Sequence, residues 1–413
     1  MRSHRLVTGL DVGTTKVCAV IAEVEPEAEP NVVGVGIAPC SGLRKGIVVD
    51  LDAVTTAVHE ALEEAENAAG TAVRSVLLGV TGEHIACLNN RSVVAIAQLG
   101  RQISSNDVEK ALNSARVIVL PPDREVIHAI PRDYSVDGQA GVQSPVGMYG
   151  SRLEVEAHIV TGLSSFIRNV VKCVHQAGWV VDATILEPIA TGESVLLPAE
   201  KDLGVALVDI GGGTSDVAVY IEGRIYHSGV IPVGGSHVTR DIAIGLRTTL
   251  EEAERVKIAH GVVSADGELP AFEVTSLGAS RPRQLPGKVL AEIIEPRMME
   301  IFHLVCEEIE KSGCTDRIPA GLVITGGGAQ LRGLAELSSQ TTGMPARIGQ
   351  PTGVTGLTER ISNPACATAV GLVLFWTRSH PEYEGDGRWQ SVLAGAEKKI
   401  REMVAKLSGF QIT

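Results

Sequence analysis

Two short stretches carry the residues best suited to chemistry. Residues 205–219 run Val-Ala-Leu-Val-Asp-Ile-Gly-Gly-Gly-Thr-Ser-Asp-Val-Ala-Val, and residues 10–20 run Leu-Asp-Val-Gly-Thr-Thr-Lys-Val-Cys-Ala-Val. In each, an apolar strand bearing an aspartate (Asp209, Asp11) meets a turn of glycines and threonines and leaves as a second apolar strand. A turn without Cβ atoms brings backbone N–H groups close to a ligand, and such a nest of amides binds anions, most commonly phosphate. The carboxylate beside it can hold a divalent ion through water. Leu10-Asp11-Val12-Gly13 aligns with Val208-Asp209-Ile210-Gly211 about half a chain away, which suggests a duplicated domain clasping one phosphate group from both sides. A third strand runs into glycines at Gly321-Leu-Val-Ile-Thr-Gly-Gly-Gly-Ala-Gln, suited to close approach by a flat ligand. A glycine turn that merely joins two buried strands explains any one copy, but it explains three poorly.

A chain of 413 residues has room for two or more domains and a sizeable core. With 44% hydrophobic and 21% charged residues the composition is that of a soluble globular protein, and 3% aromatics make the core aliphatic. The net charge of −13 argues against nucleic acid as a partner and against attraction of the whole surface to anionic lipid. Seven scattered cysteines with no C-x-x-C pair or Cys/His ligand spacing fit a reducing compartment. With no apolar signal region and no run long enough to span a bilayer, the expectation is a cytosolic protein.

The elements that must position the glycine turns follow from periodicity. Residues 6–24 form the first hairpin, and 31–38 and 75–81 are further strands. Between the last two, Val54, Val58, Ala61, Leu62 and Ala65 recur at helical spacing from Asp52 to Ala69, with an acidic outer face and a stop at Gly70. From His84 to Val160 the texture changes. Two short strands (85–88 and 93–97) precede a helix starting near Ser105, and Pro121-Pro122 breaks the chain. Strands at 126–130 and 132–136 lead into Asp137-Gly138. Residues 153–160 alternate as a strand with one wet face does. This stretch reads as a small α+β module inserted into the first domain. Helix 164–177 and strand 180–186 restore the α/β texture, and helices follow near 235, at 250–258 and at 288–311.

The three glycine stretches resemble the phosphate-1, phosphate-2 and adenosine loops of the actin/Hsp70/sugar-kinase superfamily. The resemblance implies an α/β, actin-like two-domain ATPase fold of duplicated ribonuclease-H-like domains, with ATP and Mg2+ in the cleft. On matching positions, Asp11, Gly13, Thr14, Thr15 and Lys16 would line one side of the phosphates. Gly211, Gly212, Gly213 and Thr214 would line the other, with Asp11 and Asp209 near the magnesium through water, and Gly326, Gly327 and Gly328 would face the adenosine. The run from Pro121-Pro-Asp-Arg-Glu through Asp137-Gly138, Gly147-Met148, Arg152-Leu-Glu-Val-Glu-Ala-His and Ile159-Val-Thr-Gly is similar to the FtsA family of bacterial cell-division proteins, over about residues 6–376. That family carries an inserted subdomain, 1C, at this point.

The resemblance divides the chain into domain 1A (1–83 with 162–198 and 355–379), the inserted 1C (84–161), domain 2A (199–234 with 312–354) and subdomain 2B (235–311). It places Gly234 and Gly235 near the nucleotide, and Glu254 and Lys257 at the ribose and adenine. As residues alone, the last two are an i,i+3 ion pair on a helix. Glu187 matches a segment that can orient an attacking water, and it reads equally as an acid at a helix N-terminus. Arg297, on subdomain 2B, matches a basic position used for the acidic C-terminal peptide of the tubulin-like protein FtsZ; a helix-surface arginine needs no such role. Further implied partners are other copies of the chain in actin-like filaments and other divisome proteins through 1C. No efficient catalytic base stands out, so nucleotide is expected to act as a conformational and assembly switch with weak or no hydrolysis.

After a linker at 380–391, residues 392–413 read as an amphipathic membrane-targeting helix. Trp389, Leu393, Ile400, Val404 and Leu407 fall on one stripe, with Lys398, Lys399 and Arg401 beside or behind it. Each buried CH2 contributes about 0.8 kcal/mol and each base about 1 kcal/mol at an anionic leaflet, so one helix binds weakly and a polymer of them firmly. The implied location is peripheral, on the cytoplasmic face of the bacterial inner membrane at the division site. A helix docked on its own body or on a partner is the plain alternative for this tail. For the whole chain the alternatives are a pilus-assembly actin-like protein, or a small-molecule kinase, for which no Asp base over a substrate site can be assigned.

Overall fold

The computed structural model describes residues 5–96, 100–265, 268–279 and 281–380. The expected linker beyond His380 and the terminal helix, with Trp389, Leu393, Lys398, Lys399, Ile400, Arg401, Val404 and Leu407, lie outside them.

Two sheets with the same strand order form the body. In the first, the order across the sheet is Val180–Leu186, Ser75–Val80, Arg5–Val12, Lys16–Val24, Asn31–Pro39 and the short Thr355–Gly356. In the second it is Ala346–Ile348, Leu322–Thr325, Val205–Ile210, Ser215–Ile221 and Arg224–Ile231. Each has an antiparallel hairpin at its centre and parallel partners on the side of the hairpin's first strand. The apolar runs flanking both glycine turns are therefore central strands, buried on both faces, as their lack of alternation predicts.

The helix Leu51–Ala69 packs on the first sheet through Val54, Val58, Ala61, Leu62 and Ala65. It starts where Asp50 accepts the Ala53 N–H and stops at Gly70, whose φ of 66° a side chain would disfavour. The helices Glu187–Val195 and Ala367–Ser379 cross between the sheets. At the crossing, a Cβ on Gly371 would collide with the Ala190 carbonyl, so the two backbones touch. Ile189, Ala190, Val370 and Val373 share one apolar cluster with Ala183 and Ile185 of the first sheet and Leu207 and Ala218 of the second. Beneath the crossing, Glu193 is buried and accepts from Lys201 at 2.9 Å and from Arg378.

The segment between the strand Ser75–Val80 and the helix Ser164–Ala177 is a four-stranded antiparallel sheet with the helix Ser105–Ala115 on one face. Three expectations for it are corrected. The two short strands at 85–88 and 93–97 are one strand, Ala86–Ala95. The strands on either side of Pro131 are also one, Arg124–Val136, because the proline sits at a register shift where no ladder bond is needed. The strand Arg152–Leu163 has no wet face. It lies centrally, with Glu154 buried on Arg91 and Arg152 and His158 buried between Asn89 and Ser228 of the second sheet's edge strand. His158 marks a contact with the other half of the molecule, whereas Glu154 is held by ion pairs within the module.

The helices Gly235–Leu246, Leu250–His260 and Gly287–Lys311 cover the second sheet on the side away from the crossing, with the hairpin Phe272–Val274 and Arg283–Leu285 beside them. Among the described residues no helix is long and apolar enough to cross a membrane.

Candidate functional site

The two glycine turns face each other and interlock. Each is closed by one backbone bond, Gly13 N–H to Lys16 O and Gly211 N–H to Thr214 O, both 2.9 Å. A Cβ on Gly212 would lie 2.6 Å from Thr15 Cγ2, and one on Gly213 would lie 2.5 Å from Thr14 Oγ1. The second turn can approach the first only because its residues lack side chains.

Above this contact lies a cavity of about 650 Å3. Asp11, Gly13, Thr14, Thr15 and Lys16 line it from the first half, and Asp209, Gly211, Gly212, Thr214 and Gly235 from the second, with Gly326, Gly327 and Gly328 at one side. Glu187, Glu254 and Lys257 line it as well. Gly213 and Gly234 do not; Gly213 packs on Thr14, and Gly234 packs behind the turn on the carbonyls of Gly211 and Thr214. Arg297 also lies elsewhere. Its guanidinium holds Asp241 through two bonds of 2.6 and 3.1 Å and pairs with Glu300, so an acidic peptide at this arginine would have to displace Asp241.

Glu254 and Lys257 form their i,i+3 ion pair at 2.7 Å and still face the cavity, so the two readings of them coexist. Lys257 Nζ also donates to Thr239 Oγ1 and to the Gly235 carbonyl, which ties this helix to the helix Gly235–Leu246. Glu187 likewise opens the helix Glu187–Val195 and reaches the cavity.

The cavity floor is crowded with buried acid. Asp209 accepts from Thr191 and Thr368, both at 3.2 Å, one hydroxyl from each crossing helix. Asp216 accepts from Thr81, across the two halves, and from Thr214 at 3.4 Å. Neither Asp216 nor Thr81, Thr191 or Thr368 is singled out by the sequence. The hairpin register supplies the signal for the first: Asp209 lies directly opposite Asp216. Burial, followed by the neighbouring Asp11 carboxylate, pushes Asp209 up to about 6. Burial pushes Asp216 up to about 8, with Asp209 adding to it, against the Thr81 bond. Glu187 is raised well above the carboxylate range by burial and then by Asp11, Asp216 and Asp209. Burial would lower Lys16, but Asp11 at 3.0 Å holds it high, so it remains charged. One lysine leaves these carboxylates short of countercharge.

Such a floor suits a divalent cation bound with an anionic ligand. Among the described residues no cluster of three or more His, Cys, Asp or Glu side chains is arranged to hold a bare metal ion, so water and ligand oxygens would complete its shell. The walls suit the ligand itself. Around the Cβ position of Gly327 no protein atom lies within 4 Å, and around that of Gly235 only ordinary contacts occur; neither has a left-handed φ. Nothing in the protein requires glycine there, whereas a ligand pressed against the backbone would.

The carboxylate shifts predict a pH effect. The folded state holds the Asp216 proton up to about pH 8, whereas an unfolded Asp loses it near pH 3.9. Stability from this group is therefore complete below that lower value and is lost as pH rises toward 8. In ligand-free protein, Asp216→Asn should melt increasingly above the parent from about pH 4 to about pH 8. A constant difference across thermal scans in that range would refute the assignment.

The family described as "Cell division protein FtsA" has a sequence profile that matches residues 206–371, and the "SHS2 domain inserted in FTSA" matches residues 82–161. The Cell division protein FtsA of Pseudomonas aeruginosa is 41% identical over 394 residues, covering 95% of this chain and 93% of the relative. In fold, the chain is similar to the PilM-PilN type IV pilus biogenesis complex (TM-score 0.65, 20% identity, covering 89% of this chain and 97% of that one). It is also similar to MreB5 of Spiroplasma citri bound to ADP (TM-score 0.53, 16% identity, covering 90% and 96%). The duplicated sheets, the interlocked turns between them and the inserted module thus occur in an actin-like fold, and the near-full-length likeness to the Pseudomonas protein shows that this chain belongs to the FtsA family of cell-division proteins.

Proposed function

We propose that the protein binds ATP with Mg2+ in the cavity between its two halves and uses it as an assembly switch. In this reading it forms actin-like filaments on the inner membrane face, anchors FtsZ filaments there and recruits other divisome proteins. The observation that carries the nucleotide reading is the pair of interlocked turns beneath a cavity rich in buried carboxylate, with glycines at Gly235 and Gly327 that the protein itself does not need. The fold relative MreB5 carries ADP, which supports the same occupant.

The divalent cation bound with the nucleotide would supply the countercharge that the floor lacks. Amides of the 13–16 and 211–214 turns would hold the phosphates, with Lys16 as the positive partner and Asp11 and Asp209 ordering waters around the cation. Thr191 and Thr368 keep Asp209 oriented for that task. Glu187 is the residue placed to hold or move a water's proton, and its raised pKa suits slow or absent hydrolysis. Subdomain 2B would receive the FtsZ peptide, the 84–161 module would contact divisome partners, and residues 392–413 would attach to anionic lipid.

The test is co-sedimentation with anionic liposomes, with and without Mg-ATP and the FtsZ C-terminal peptide, for the full chain and a truncation after His380. Only the full chain should pellet, and it should carry the peptide down with it. Equal pelleting of both forms, or of neither, would remove the anchor from this reading.

A further inference from the structure

The inserted module reaches the residue before Glu187 through a buried imidazole. His128, on the strand Arg124–Val136, is 1% exposed, and its Nε2 accepts the Leu186 N–H at 3.0 Å. Leu186 ends a strand of the first sheet and is also the N-cap of the helix that begins at Glu187. A leucine has no side-chain oxygen with which to cap the helix, so the junction is fastened from outside. His128 holds the N–H of the residue before Glu187. Tyr220 of the second sheet holds the carbonyl of the residue after it, donating to Pro188 O at 3.2 Å. The Glu187 stem itself rests on Gly79, where a Cβ would lie 3.1 Å from Glu187 Cγ. Three parts of the molecule thus converge on the turn that aims one carboxylate into the cavity.

The imidazole's other nitrogen supports a task beyond packing. Accepting through Nε2 leaves the proton on Nδ1, which is buried with no hydrogen-bond partner. Burial, with Arg116 adding to it, lowers its pKa to about 3, so the ring stays neutral and keeps its acceptor available. An apolar side chain would fill this space without stranding a donor, and histidine contributes what such a residue cannot: an acceptor for the Leu186 amide.

We infer that His128 is a positioning residue through which the inserted module sets the orientation of Glu187 in the cavity. A partner that shifts the module's strands would thereby alter nucleotide binding without touching it. The inference rests on the nucleotide reading of the cavity for its consequence, but the positioning itself can be measured separately.

Full-length protein carrying His128→Leu or His128→Gln is compared with the parent in two measurements. One is amide hydrogen exchange over residues 184–195 in ligand-free protein; the other is affinity for a fluorescent ATP analogue with Mg2+. The leucine variant should exchange about tenfold faster at the helix start and bind nucleotide about tenfold more weakly. The glutamine variant, whose Oε1 can occupy the position of Nε2, should stay within about twofold of the parent in both. His128→Asn, whose amide reaches only as far as Nδ1, replaces the leucine variant if that does not fold. Leucine (or asparagine) and glutamine variants that exchange alike would overturn the inference. A parent that binds no nucleotide would overturn the reading of the cavity instead, and the exchange comparison would still decide the role of His128.

Discussion

Replacing Gly327 by Val should lower nucleotide affinity at least about a hundredfold, or roughly 2.7 kcal/mol, while leaving the ligand-free protein within about 0.5 kcal/mol of its parent. The two effects separate because the neighbouring glycines serve different ends. Gly326 has a φ of 85° and faces Asp209 Oδ1, and a Cβ on Gly328 would strike Ile210. Substitution at either would damage the fold first. Gly327 has neither constraint, and the methyls of a valine would stand in the cavity where a ligand must lie. Titration of a fluorescent nucleotide, with thermal melts of the same samples, tests this. Unchanged affinity would mean that the ligand does not approach this wall, and the adenosine side would have to be sought elsewhere in the cavity.

Glu193→Ala should destabilise the whole protein by about 3 kcal/mol, because it leaves the buried Lys201 without its carboxylate and removes one ion-pair partner of the part-exposed Arg378. Lys201 lies on the short helix leading into the second sheet, with its Nζ 5.3 Å from the centre of the Tyr220 ring, and Arg378 lies at the end of the helix Ala367–Ser379. One carboxylate ties both sides of the crossing together. Urea unfolding should show the loss as a lower midpoint. Combining Glu193→Leu with Lys201→Met should recover part of it, since an apolar replacement of both partners strands fewer charges. A loss below about 1 kcal/mol would place the pair among the weak, solvent-screened ones.

The body of the fold was legible because apolar runs broken by glycine leave few alternatives: a strand that must be buried on both faces and a turn that must lie close to something. The repeat of that plan at Asp11 and Asp209 carried the duplication, and the two sheets do share one strand order. What stayed hidden follows from the physics of single polar residues. Asp216 stands inside an apolar strand, and Thr81, Thr191 and Thr368 are lone hydroxyls; only tertiary structure brings them to the cavity floor. The pseudosymmetry offered no help for Asp216, because the position opposite Asp11 in the first hairpin is Cys18. The inserted module misled for a similar reason. Pro131 looks like an end and sits beside a bulge, and Glu154 and His158 look like a wet face and are buried against partners. Periodicity reports what a side chain prefers, and a specific partner overrides it.

The helix crossing at Gly371 and Ala190 has a mechanical consequence. The two halves are not joined by an open, hydrated strap; they share one close-packed apolar cluster through which both helices run. A packed interior resists continuous deformation and changes by jumping between discrete arrangements. Relative motion of the halves should therefore behave as a toggle. Under partial occupancy the fraction of closed molecules would change while the closed angle stayed the same, and distance distributions between labels on the two halves would show two peaks exchanging weight instead of one peak drifting.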